Sequence, residues 1–423
     1  MLINDHRTFL AVTLSCTGSI KLMKKQQHVL SVDNWCLVVA SFASAYGVGL
    51  LALLALPYLI SAIMSDLGLD AAHAGMLMSA EFLVTMIASL ALAPMMGRVP
   101  RRTMALSGAL MVMAANAMSA TTTDTLLLLA LRCVAGVGAG MCLSCGNASI
   151  AGARDPDRAA GQMNILFVAL MAIVMIAYAH VMNAYGLKGL YLAIAATNLV
   201  MVSLVFLMPQ HRLERFEPEG GIDHPSMPKK LLSPPAVFMM LAMFLFSMRD
   251  TMGWAFVEQV GVRVGYTGEQ LGQLFALQSL LGLAGPAIAS LCGRRFGIAL
   301  PVLLGVFSSG AVGIGYVLGE HSQTMYTVSV MLISTTYFYA LAYLTGLAAS
   351  LDKEGRIAAA AGSFLTLGIA VGPTLSGLLA EHGGFPLVAA GIAALVLATA
   401  LAVSVPLGTL RRYSAGNQAL AIG

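Results

Sequence analysis

Four ionisable side chains, Glu81, Arg132, Arg249 and Asp250, fall inside long apolar stretches of this chain. A charge at the centre of a bilayer costs about 2.5–3.5 kcal/mol on insertion scales, so each must be paired or face water. A buried carboxyl beside an arginine is pulled both ways, disfavoured by desolvation and favoured by the cation, and can be poised to take and release a proton. Glu81 is the candidate proton carrier, with Met78, Thr85 and Ser89 continuing its helical face. A permanent ion pair with Arg132 is the alternative. Arg132 itself could clamp an anionic solute or tune that carboxyl. It shares a stripe with Gly136 and Gly140, a small-residue face that packs against a neighbouring helix and turns the guanidinium inward. Arg249 and Asp250 are adjacent, so they project about 100° apart and each needs a partner of its own. Asp250, Trp254 and Glu258 fall on one stripe, suited to a solute or proton role or to a gate.

Further candidates for solute contact are Tyr46, Asn147, Asn164, and the pair Tyr339 and Tyr343 on one face. A buried tyrosine needs a hydrogen-bond partner, which a solute can supply, although packing accounts for most aromatic stripes. Cys142 and Cys145 have a C-x-x-C spacing but no second pair nearby, so they read as small structural residues and no metal or cofactor is expected.

The elements that must hold these residues are membrane helices. The chain is 58% hydrophobic and only 10% charged, with a mean hydropathy of +0.84, which excludes an ordinary soluble domain. It divides into twelve apolar stretches, 35–61, 73–96, 103–121, 124–151, 160–184, 187–208, 234–257, 268–292, 297–317, 323–350, 357–380 and 384–407, each near the roughly 20 residues a spanning helix needs. With a cytoplasmic N-terminus, only Lys188 and Arg263 of the 23 basic residues lie on the far side, and Arg132 and Arg249 lie within spans. That asymmetry is the positive-inside pattern, with both termini cytoplasmic. Residues 1–32 read as an N-terminal extension, 33–208 as one bundle, 209–233 as a linker rich in charge, Gly and Pro, 234–410 as a second bundle, and 411–423 as a cytoplasmic tail.

The two halves look duplicated. Gly97-Arg98-Val99-Pro100-Arg101-Arg102 follows the second stretch, and Gly293-Arg294-Arg295 follows the eighth. Asp155-Pro156-Asp157-Arg158 follows the fourth, and Asp352-Lys353-Glu354-Gly355-Arg356 the tenth. Two like-oriented halves are a transporter plan, with the solute site between them near the midplane.

These features resemble the major facilitator superfamily over residues 33–410. Gly97, Arg98, Arg101 and Arg102 match its loop motif G-x-x-x-D-R-x-G-R-[RK], without the acidic residue and with Pro100 intruding. Arg132, Gly136, Gly138 and Gly140 match its helix-4 motif R-x-x-x-G-x-G-x-[AG]. The helix-5 signature G-P-x-x-G-G of drug–proton antiporters is absent, and Gly372-Pro373-Thr374-Leu375-Ser376-Gly377 stands in helix 11 instead. The resemblance implies an all-α polytopic membrane protein of twelve helices in two pseudo-symmetric six-helix bundles. It also implies a coupling role for Arg132, and the loop residues Gly97, Arg98, Arg101, Arg102, Gly293, Arg294 and Arg295 are expected to serve conformational switching.

No nucleotide-binding loop, metalloprotease motif or nucleophile elbow stands in a usable context, so neither a pump driven by ATP nor an enzyme is expected. The expected function is secondary transport of a small organic solute across an inner membrane, coupled to protons and working as a monomer without cofactor or nucleic acid. Arg132 and Arg249 suggest an anionic solute; export of a drug-like or siderophore-like metabolite and a transporter-fold sensor are the alternatives.

Overall fold

The computed structural model describes residues 35–96, 99–151, 156–208, 233–293, 295, 297–351 and 356–422. The expected extension and all of the expected linker except Ser233 lie outside these. Among the described residues the fold is helical, with no strand. We number its rods α1 (Trp35–Leu67), α2 (Ala71–Leu92), α3 (Arg101–Ser119), α4 (Thr125–Ala151) and α5 (Pro156–Val205). After the linker come α6 (Pro234–Val264), α7 (Gly268–Cys292), α8 (Ala299–His321), α9 (Gln323–Leu351) and α10 (Arg356–Ile422).

Nine helices among the described residues are long and apolar enough to cross a membrane. The twelve separate stretches do not emerge as twelve separate helices, for two physical reasons. First, α5 and α10 turn back without a loop. Each contains one glycine with backbone angles open essentially to glycine alone, Gly186 (φ 58°, ψ −152°) and Gly384 (φ 66°, ψ −167°). The reversals fall where the stretches 160–184 and 187–208, and 357–380 and 384–407, were expected to meet. Second, α3 has 19 residues but is too polar to be one of the nine. Its polar residues Asn116 and Ser119 have a use, described below. At its far end α10 continues as helix to Ile422, past the end expected near 407.

Local chemistry marks the helix ends. Gly68, in the left-handed region at φ 65°, stops α1. Asp70 then caps α2, its carboxylate accepting from the His73 backbone N–H at 2.7 Å. That bond and the His73 side chain hold the Asp70 carboxyl below the usual carboxylate range. Thr267 and Gln270 form a reciprocal capping box at the start of α7.

Large apolar side chains point outward all along the helices, among them Leu126, Ile173, Leu291 and Leu401. Such a surface would be untenable in water and is what lipid requires. We call the end where α1 meets α2, α3 meets α4, α6 meets α7 and α8 meets α9 the distal end. The chain's first and last described residues lie at the other end, the proximal one. Across the two halves α2 packs on α10, and α5 on α7.

Candidate solute cavity and buried ion pair

Between the halves lies a cavity of about 290 Å³, near the lower limit of roughly 300 Å³ usual for small-molecule sites. Its walls are helix faces. Ser247, Asp250, Thr251 and Trp254 of α6 repeat at i, i+3, i+4, i+7, as do Ser334, Tyr337, Phe338 and Leu341 of α9. Asn164, Phe167 and Met171 of α5 follow the same spacing, and Leu365 and Ile369 come from α10. From α1 come Tyr46, Leu50, Leu53 and Leu54. Tyr46 sits in a π-helical segment, Ala43–Val48, the kind of helix irregularity that recurs at functional sites.

The wall is mostly aromatic and aliphatic, and Asp250 is its only charged side chain among the described residues. The Asp250 carboxylate makes no hydrogen bond to any described residue, which leaves it open to a solute or water. Tyr46 meets Phe167 edge to face, with ring centroids 5.1 Å apart. On the opposite wall Tyr337 stacks on Phe246 at 5.3 Å and meets Phe338 edge to face at 5.4 Å.

Arg249 points away from this space, as its adjacency to Asp250 requires. Its guanidinium donates to the Ser309 backbone oxygen at 2.8 Å and to Ser309 Oγ at 3.2 Å, and lies over the Phe246 ring. Phe246 is thus held between the Arg249 cation and Tyr337.

Glu81 and Arg132 also lie off the cavity. Arg132 Nη1 donates to Glu81 Oε2 at 3.1 Å, and Nη2 donates to Asn116 Oδ1 at 3.1 Å and Ser119 Oγ at 2.7 Å. The guanidinium carbon stands 4.7 Å from the Tyr191 ring centroid. Residue exposures of 1% for Arg132 and 2% for Glu81 make this a dry contact inside the first half. The small-residue face of α4 is what allows it: a Cβ on Gly136 would come within 2.5 Å of the Glu81 backbone oxygen, so only glycine lets α2 and α4 approach so closely. Asn116 and Ser119, two of the polar residues of α3 beside Arg101 and Arg102 at its start, are those that receive this arginine.

The remaining candidates divide. Tyr46, Asn164, Asp250 and Trp254 come together at the cavity. Tyr339 and Tyr343 turn the other way and meet edge to face, and Tyr343 Oη donates to the backbone oxygens of Ala289 and Gly293 in and just after α7. Asn147 is exposed on α4 and is not part of the cavity wall. Glu258 sits distal to the cavity and is buried. Gly97, Arg98 and Arg294 lie outside the described residues. Arg101 ties two helix ends together, Nε donating to the Met96 oxygen and Nη1 to the Ala148 oxygen. Arg102 lies over the Phe206 ring, Gly293 turns the chain at the end of α7, and Arg295 is exposed. Among the described residues no group of three His, Cys, Asp or Glu side chains could hold a metal. Cys142 and Cys145 are buried free thiols.

The distal end is closed. Trp254 Nε1 donates to the Leu53 oxygen at 3.0 Å, the Thr374 N–H donates to Ser79 Oγ at 3.0 Å, and Gln259 contacts Met64. At the rim, His180 and Glu269 lie 3.2 Å apart. These contacts between the halves all fall in the distal parts of the helices.

A family model described as Major Facilitator Superfamily matches residues 37–358, more than two thirds of the chain. The chain belongs to the Major Facilitator Superfamily. Its fold is similar to a crystal structure of a bacterial homolog to the human lysosomal transporter Spinster, in an inward-facing and unoccupied conformation. That likeness has a TM-score of 0.63 and 12% identity, covering 89% of this chain and 95% of that one. It is also similar to the nucleoside transporter NupG, solved as a point mutant, with a TM-score of 0.65, 11% identity and coverage of 89% and 99%. At such identities the likeness concerns the fold. No curated protein matches the sequence. Family and fold together make this a multi-pass membrane protein of transporter type.

Proposed function

We propose that this protein is a proton-coupled secondary transporter whose solute occupies the cavity between the two halves and is neutral or cationic. Asp250 carries the reading: among the described residues it is the cavity's only charge and its carboxylate has no hydrogen-bond partner, and aromatic rings line the wall with it. A carboxylate facing Tyr46, Trp254, Tyr337 and Phe338 suits a lipophilic amine, held by charge at one end and by ring faces along its body. The anionic solute suggested by Arg132 and Arg249 loses its support, because neither arginine lines the wall. Proton coupling falls to Asp250, which would exchange its proton for the solute's positive charge. Glu81 and Arg132 then serve as an internal tie between α2, α3 and α4.

The basic-residue asymmetry supports cytoplasmic termini and an inner-membrane location. In that orientation the closed distal end faces outward. Counting α5 and α10 as two spans each, and α3 as one despite its polarity, gives twelve.

The test is binding of a lipophilic cation, tetraphenylphosphonium, to the purified full-length protein, with flux in proteoliposomes under an imposed pH gradient. Binding that weakens as pH falls and is lost in Asp250→Asn is expected. A pH-independent affinity unchanged in that variant overturns the reading.

A further inference from the structure

We infer that Glu258 is the proton-operated lock of the distal seal: the halves close over its neutral acid and part when it ionises. This rests on the alternating-access reading above and adds a residue outside the cavity.

Glu258 lies in the first turn of the short helical segment Val257–Val264, at 2% exposure. Its Oε2 has no hydrogen-bond partner although it is buried. The polar side chain nearest its carboxyl across the halves is that of Ser61, from α1. The phenols that face it are committed elsewhere: Tyr58 Oη donates to the Met175 oxygen, and Tyr326 Oη to the Val257 oxygen. The nearest cation on its own segment, Arg263, turns away onto the Phe385 ring and towards Glu320. His321 also points to Glu320, and Glu269 pairs with His180 at the rim. No described cation reaches Glu258.

A carboxylate buried between two packed surfaces with an unpaired oxygen is among the costliest groups a protein can hold. Its position near a helix N-terminus offsets part of that cost, but the segment is only eight residues long. The neutral acid removes the charge and gives the orphaned oxygen a proton to donate. Closing therefore requires the carboxylate to accept a proton from a hydronium ion on the distal side, leaving a carboxylic acid and a water molecule. Opening hydrates the group and lets the proton return to that side. The sign follows: acid favours the closed distal end, and alkali favours opening. The position of the residue suits this task, because Glu258 follows Trp254 by four residues, across the turn at Ala255 and Phe256, and its ionisation would act close in the chain to the Trp254–Leu53 bond.

The experiment places spin labels at the exposed distal positions 124 and 323, through Asp124→Cys and Gln323→Cys, with Cys16, Cys36, Cys133 and Cys292 changed to Ala. Distances are then measured by electron paramagnetic resonance from acidic to alkaline pH. With Glu258 intact, the long-distance population grows as pH rises. Glu258→Gln loses that shift and stays at the short distance throughout, whereas Glu258→Asp keeps it, which separates a lost carboxyl from a misfolded protein. His180→Gln, which removes the exposed rim pair, keeps the shift too. If Glu258→Gln titrates like its parent, or if tetraphenylphosphonium as solute but not pH lengthens the distance, the Glu258 assignment fails and alternating access stands. If neither pH nor solute lengthens it, alternating access fails as well.

Discussion

The indole of Trp254 donates across the two halves to the backbone carbonyl of Leu53, 3.0 Å away. That carbonyl is open because of a residue four positions on. Pro57 lies inside α1 and has no N–H to return to Leu53. A helix defect in one half thus creates the acceptor for the other.

Pro57→Ala supplies the missing N–H and makes the Leu53 carbonyl a shared acceptor. A neutral hydrogen bond contributes about 0.5–1.5 kcal/mol, so weakening this one should shift the closed-to-open ratio by up to about tenfold. Distal distance distributions, read on variant and parent, check this. An unchanged ratio would leave the contact as packing alone.

Glu81→Gln should unsettle the fold before it alters transport. Arg132 would remain buried with one ligand neutralised, and breaking a buried pair costs about 3–5 kcal/mol. We expect a lower melting temperature in detergent. Pairing the change with Arg132→Gln should recover much of the loss, since no bare charge then remains. A Glu81→Gln protein as stable as its parent, but deficient in driven flux, would instead restore Glu81 to the coupling machinery.

Asp250→Asn should fold normally, because the carboxylate accepts no hydrogen bond from a described residue. Solute binding should weaken by at least about tenfold, and its dependence on pH should vanish, because a charge-assisted contact contributes about 1.5–3 kcal/mol. Isothermal calorimetry at two pH values decides the matter.

Gly186→Ala should destabilise by about 1–3 kcal/mol, the usual cost of forcing such backbone angles on a side chain. The added methyl would also press on Asp66, whose Oδ2 accepts from the Leu187 N–H at 2.7 Å. Gly161→Ala is the control, since a Cβ there meets nothing within 4 Å. Equal melting temperatures for the two variants would remove the special role of the turn.

The membrane class was legible from hydropathy, and the family from residues such as Arg132 and Gly136, because lipid and close helix contact leave few alternatives. The opposed directions of Arg249 and Asp250 follow from helical geometry alone. Rotation about a helix axis was harder to read. Tyr339 and Tyr343 were as plausible a face of α9 as Ser334, Tyr337, Phe338 and Leu341, and only packing against α7 decides between them. The Ser247–Thr251 face of α6 was readable at its spacing, yet hydroxyl residues in an apolar run carry no charge to draw attention. No local signal distinguished a charge facing the cavity from one facing a partner helix, so Glu81 and Arg132 read like Asp250.

The polarity of α3 reaches back to biosynthesis. A segment that opens with Arg101 and Arg102 and holds Asn116 and Ser119 in its far turns is less apolar than the nine spanning helices, and should partition from the translocon less readily by itself. The arginine that needs those groups emerges from the ribosome one helix later. Segments α3 and α4 must then leave the channel as a couple, each supplying what makes the other tolerable to hydrocarbon, and integration of the first half becomes a concerted event instead of a helix-by-helix one.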